Sequence, residues 1–103
     1  MSNFKHISAV QAHTLLQQGA ALIDIRDEPT FNQGHIEGAL RIDNSNVSTF
    51  INATDKTTPL IVCCYHGFSS QGAAQFLCDS GFAHVYSLDG GFEGWKGEFP
   101  AAI

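Results

Sequence analysis

Pro59-Leu60-Ile61-Val62-Cys63-Cys64-Tyr65-His66-Gly67-Phe68-Ser69-Ser70 opens with an apolar run of strand length and changes character at Cys64. Ala73, Ala74 and Leu77 follow at helical spacing, and Gly81 closes the segment. This succession predicts a strand, a tight loop and a helix from 70 to 80, with Cys64 on the lip between strand and loop. A thiol at such a turn is placed for chemistry, and Cys64 is the candidate nucleophile.

Strand and helix patterns alternate on both sides of this stretch. Phe4 to Ile7 predicts a short strand, and Ser8 with Gln11 a capping box for a helix that buries Ala9, Ala12, Leu15 and Leu16. Ala20 to Ile25 is apolar except for Asp24, as in a strand covered on both faces. Asp27-Glu28-Pro29 suits a helix start, and Gly34-His35-Ile36-Glu37-Gly38 a loop. Ala39 to Ile42 predicts a third strand, and Asn44 or Asn46 a cap for a helix carrying Val47, Phe50 and Ile51. Beyond Gly81, His84 to Leu88 predicts a strand, Asp89-Gly90-Gly91 a turn, Phe92 to Trp95 a short aromatic helix, and Pro100 the start of a tail. The alternation predicts an α/β fold on a mainly parallel sheet, in which ligands bind beyond the carboxyl ends of the strands.

A chain of 103 residues makes one domain, 1–103, with a single core. Its net charge of −5 gives no electrostatic reason to expect nucleic acid or an anionic membrane as partner. No segment approaches the ~20 apolar residues that cross a bilayer, and Met1 to His6 lack a secretory pattern. Three cysteines, two of them adjacent, argue against a disulfide framework, so the expected compartment is the cytosol.

A free thiol, with a pKa near ~8.5, needs a local field to ionise at neutral pH. The loop after Cys64 supplies one by aiming backbone N–H groups and a helix N-terminus at its centre. Gly67 permits the curl, and Ser69 or Ser70 can cap the helix and offer a hydroxyl to an anion. Between Lys56 and Lys96 there is no Lys or Arg, so amides must hold whatever anion binds. A cysteine phosphatase needs an Arg at the far end of its loop, where this chain has Ser70. Sulfane sulfur transfer asks only that a thiolate accept a sulfur atom and pass it on.

The segments Cys64 to Ser70, Asp24-Ile25-Arg26-Asp27, Gly34 to Ala39 and Leu88 to Trp95 resemble the rhodanese family, in the family's order and over most of the chain. The resemblance implies a five-stranded parallel sheet with helices on both faces, a persulfide on Cys64 and double displacement. It implies thiosulfate as donor, a thiol such as reduced thioredoxin or cyanide as acceptor, and no metal or organic cofactor. The binding loop is then Tyr65, His66, Gly67, Phe68 and Ser69, and counted from Cys64 to Ser69 it has the six-residue length of the family's sulfurtransferases. Many members carry Arg or Lys where this chain has Tyr65, His66 and Phe68, so weak thiosulfate binding is expected. Two other readings stay open: a non-enzymatic persulfide carrier or sensor, and a small-anion phosphatase or arsenate reductase.

The remaining polar and sulfur-bearing residues read as structural. Cys63 should face away from the loop into the core, and Cys78 should pack on its helix. Cys63, Cys64 and His66 lack the paired half-sites of a zinc centre. Asp24 reads as a buried carboxylate paired with Arg26, supporting the site without reacting. His6, His13 and His84 read as surface or helix-face residues, His35 as structural, and Phe82, Phe92 and Trp95 as core. His66 either lends partial charge to the thiolate or bonds the loop backbone.

Overall fold

The computed structural model describes residues 3–99, so the tail expected from Pro100 lies outside the described residues. Five strands, β1 (Lys5–Ile7), β2 (Ala21–Asp24), β3 (Leu40–Arg41), β4 (Leu60–Cys63) and β5 (Val85–Leu88), form one sheet in the order β1-β5-β4-β2-β3. Every neighbouring pair is parallel. Helices α1 (Ala9–Gln17), α2 (Glu28–Gln33), α3 (Val47–Ala53) and α4 (Ser69–Asp79) fill the crossovers, and α5 (Gly91–Glu98) follows β5.

The central strand shows why the apolar runs are uninterrupted. Side chains alternate across a strand, so Leu60 and Val62 point to the layer of α3 and α4, while Ile61 and Cys63 point to that of α1 and α5. Leu60, Ile61 and Val62 are fully buried, each burial contributing about 1.5–3 kcal/mol. Phe82 closes the α3/α4 layer, whereas Phe92 and Trp95 join Ala12 in the other.

The helix starts follow local chemistry. Ser8 Oγ accepts the Gln11 N–H at 3.1 Å and Gln11 Oε1 accepts the Ser8 N–H at 3.2 Å, which completes the capping box of α1. Asp27 accepts the Thr30 N–H and Pro29 lies in the first turn of α2. Helix α3 departs from expectation. Asn46 holds the N-cap position, but its side chain reaches backward to the Arg41 carbonyl and the Asp43 N–H, tying the helix start to β3.

Strand order then locates the site. The chain steps outward from β2 to β3, returns to the centre as β4, and leaves on the other side as β5. It reverses between β2 and β4, the kind of crevice in which parallel sheets bind ligands. Asp24 and Cys63 are register partners at the carboxyl ends of these two strands, and Cys64 is the next residue.

Candidate active site

Cys64 leaves β4 on the side of α4, and its Sγ meets the start of that helix. Gly67 N–H donates to Sγ at 3.1 Å and Ser70 N–H at 3.3 Å, with Ser70 Oγ also 3.3 Å away. Ser70 is the second residue of α4, so the sulfur occupies the place of a capping oxygen. This corrects the expectation that Ser70 caps the helix. Phe68 sits at the N-cap in helical conformation without a side-chain bond, and Ser69 is exposed in the first turn. The sulfur already takes the Ser70 amide, and the Ser70 hydroxyl is instead buried against Ser87 Oγ at 2.8 Å.

Helix α5 shapes the loop from behind. Phe92 N–H donates to the Cys64 carbonyl at 2.8 Å and Glu93 N–H to the Tyr65 carbonyl at 3.1 Å. Gln71 Nε2 holds the Gly67 carbonyl at 3.0 Å. With three carbonyls tied elsewhere, N–H groups line the sulfur, as in an anion-binding nest. Two glycines permit this approach. A Cβ on Gly67, at φ +96°, would lie 2.9 Å from Gly90 N, and one on Gly91, at φ +57°, would lie 2.5 Å from the Cys64 and Tyr65 oxygens.

These contacts set the thiol chemistry. Burial pushes the Cys64 pKa up, but hydrogen bonds from the Ser70 hydroxyl and the Ser70, Gly67 and His66 amides outweigh it, so the pKa falls below the ordinary thiol value. Cys63 points into the opposite layer, where burial, then Asp24, drives its pKa well up. Burial, then Asp79, raises that of Cys78. Of three thiols, only Cys64 is held toward the thiolate.

The rim is aromatic. Phe68 is 78% exposed and Tyr65 46%, with the exposed His66 ring stacked on Tyr65 at 4.6 Å between centroids. The cations nearby are engaged. Arg26 lies buried over the Phe92 ring and bonds Asp24 through Nε at 2.9 Å and Nη2 at 2.6 Å, with Nη2 also reaching the Gly34 carbonyl at 3.0 Å. Lys96 Nζ pairs with Glu93 at 2.6 Å. His35 stacks on Phe31 and bonds its carbonyl. His6 pairs with Asp89 at the surface, and His13 stacks on Phe99. Among the described residues no three His, Cys, Asp or Glu side chains gather as metal ligands.

The structure brings Cys64, the 65–69 loop and Ser70 together, with the Asp24–Arg26 pair one strand away. Sequence alone does not mark the parts played by Ser87 and the Gly91-Phe92 backbone. A polar residue within the apolar Val85-Tyr86-Ser87-Leu88 and a double glycine were the available signs.

A family model described as "Rhodanese-like domain" matches residues 8–98. The chain is 54% identical over 103 residues to the thiosulfate sulfurtransferase GlpE of Pseudomonas fluorescens, covering all of this chain and 94% of that one. It is 51% identical over 96 residues to the protein of that name from Shewanella oneidensis, covering 92% and 95%. Among solved structures, a rhodanese-related protein from Thermoplasma volcanium matches in fold alone, with TM-score 0.82, 22% identity and coverage of 97% and 98%. A rhodanese-like domain from Anabaena matches with TM-score 0.80 and 27% identity over 96% of this chain and 76% of that one. With a parallel sheet in the order β1-β5-β4-β2-β3 and a thiol cradled at its switch point, this chain belongs to the rhodanese-like family.

Proposed function

We propose that this chain, as one domain over 1–103, is a sulfurtransferase that moves sulfane sulfur from thiosulfate or a related donor to a thiol or cyanide through a Cys64 persulfide. The observation that carries the reading is the Cys64 sulfur held by the Gly67 and Ser70 amides at a helix N-terminus. The relatives named thiosulfate sulfurtransferase align along essentially the whole chain, which supports the same activity here.

In the first step the Cys64 thiolate attacks the outer sulfur of thiosulfate. The donor S–S bond breaks, sulfite leaves with the electron pair, and the persulfide forms. In the second step an acceptor thiolate or cyanide attacks the terminal sulfur, and the pair of the breaking S–S bond returns to Cys64 Sγ. Both displacements keep the electron pairs on sulfur, so no cofactor enters. The loop amides stabilise the anion at each stage without reorganising.

The acceptor class includes reduced thioredoxin, and the compartment is the cytoplasm. No membrane-length apolar helix occurs among the described residues. The aromatic rim of Tyr65 and Phe68 favours a second reading, in which a protein-bound persulfide is the donor and the chain acts as a carrier. Intact-protein mass after thiosulfate exposure tests the mechanism, with Cys64→Ser as control. Gain of one sulfur atom, reversed by cyanide or thiol and absent in the variant, is expected; an unmodified wild type would overturn it.

A further inference from the structure

We infer that Ser87 is a positioning residue for the Cys64 thiolate, acting through Ser70 to set the direction of the hydrogen bond that reaches the sulfur. The inference rests on Cys64 as the nucleophile of the proposed reaction. Ser87 lies in β5, fully buried, on the face where α4 packs. Its hydroxyl has one hydrogen-bond partner among the described residues, Ser70 Oγ at 2.8 Å. Ser70 Oγ in turn lies between Ser87 Oγ and Cys64 Sγ. The three atoms form a closed line with no other hydroxyl on it.

Each hydroxyl carries one hydrogen, so the line has two orderings. With Cys64 protonated, S–H donates to Ser70, which donates to Ser87. With Cys64 ionised, Ser87 donates to Ser70, which donates to the thiolate. Ionisation therefore turns both hydroxyls around. The Ser70–Ser87 bond is neutral in the first ordering, whereas in the second it is polarised by the adjacent anion and stronger. Removing the Ser87 hydroxyl thus costs the thiolate more than the thiol, and the Cys64 pKa rises.

The second ordering also serves both displacements. It presents the thiolate for attack on the donor, and it receives the electron pair when the persulfide S–S bond breaks.

Other ionisable groups near the loop belong to different contacts. Asp24 and Arg26 on β2 bind each other, Glu93 and Lys96 on α5 pair, and Cys63 faces the opposite layer. Tyr65 and His66 stack at the rim. Helix α4 carries Cys78 and Asp79 at its far end, and β5 places Tyr86 toward the α1/α5 layer. The groups turned toward Sγ are the His66, Gly67 and Ser70 amides and the Ser70 hydroxyl, none of which is ionisable.

The test is the pH dependence of iodoacetamide alkylation at Cys64, followed by peptide mass so that Cys63 and Cys78 are separated. In Ser87→Ala the midpoint should move up, and the rate below the midpoint should fall about threefold to tenfold. Ser87→Thr, which keeps a hydroxyl, should restore the wild-type profile. In a Ser70→Ala background, Ser87→Ala should add nothing, because the line is already cut. A folded Ser87→Ala with a wild-type profile, or an equal effect with and without Ser70, would overturn the inference. If Ser87→Ala does not fold, Ser87→Cys keeps the shape with a weaker donor, and an unmoved midpoint there would overturn it. If Cys64→Ser still transferred sulfur, the proposed mechanism would fail, yet the alkylation profile would still report on the hydroxyl line.

Discussion

The amide that follows Gly91 reaches the carbonyl of Cys64: Phe92 N–H donates to it at 2.8 Å, and a Cβ on Gly91 would stand 2.5 Å from the same oxygen. That oxygen cannot move aside without losing the bond that turns it from the sulfur. Gly91 also sits at φ +57°, which an L side chain adopts at a cost. We expect Gly91→Ala to lose at least ~3 kcal/mol of stability and to slow alkylation of Cys64 in the protein that remains folded. Gly97→Ala, with open space around its Cβ, is the control and should match or exceed wild-type stability. A Gly91→Ala protein with wild-type melting and reactivity would show that the close approach is unimportant.

Phe68 stands at the rim with 78% of its surface exposed, so replacing it removes little packing. The amide cradle faces a dianionic donor without a free guanidinium beside it. Phe68→Arg should lower the Michaelis constant for thiosulfate about twofold to fivefold, with the gain shrinking as salt is raised. An unchanged constant at low salt would mean that donor affinity is not limited by charge at the rim.

The elements readable from sequence were those whose cause is local. Ser8 and Gln11 are three residues apart, the β4 run is contiguous, and Asp24 stands out within an apolar strand with its partner Arg26 two residues on. What escaped was set by distant approach. Ser70 looked like a helix cap because nothing nearby shows that Ser87, 17 positions later, takes its hydroxyl. The α5 amides that hold the loop carbonyls likewise come from an element that, by itself, reads only as a short aromatic helix after a turn. Strand order, which brings Asp24 beside Cys63, was also invisible in a single sequence.

Asp24 is fully buried and takes both Arg26 Nε and Nη2. Asp24→Ala strands a guanidinium that is itself nearly buried, at a cost of about 3–5 kcal/mol. Because the pair touches the fold behind the loop and not the sulfur, the folded fraction should retain most of its turnover. Denaturant titration alongside single-turnover sulfur transfer separates the two effects. A variant as stable as wild type but inactive would make Asp24 part of the chemistry.

Cys64 and Cys63, adjacent in sequence, should push stability in opposite directions as pH rises. The Cys64 pKa lies below its unfolded value, so its contribution is full above the unfolded thiol pKa of ~8.5 and is lost as pH falls through the folded value. Cys63 is shifted upward, so above ~8.5 the unfolded chain releases a proton that the native state keeps, and stability drops. Guanidinium titrations from about pH 6 to 10, in a non-thiol reductant, read both effects. Relative to Cys64→Ser, the wild type should gain stability with rising pH until the unfolded thiol has ionised. Relative to Cys63→Ala, it should lose stability above ~8.5. The same lowered pKa keeps Cys64 reactive toward iodoacetamide at neutral pH while Cys63 stays unlabelled. Parallel curves for wild type and Cys64→Ser would mean that the Ser70 and Gly67 contacts do not favour the thiolate.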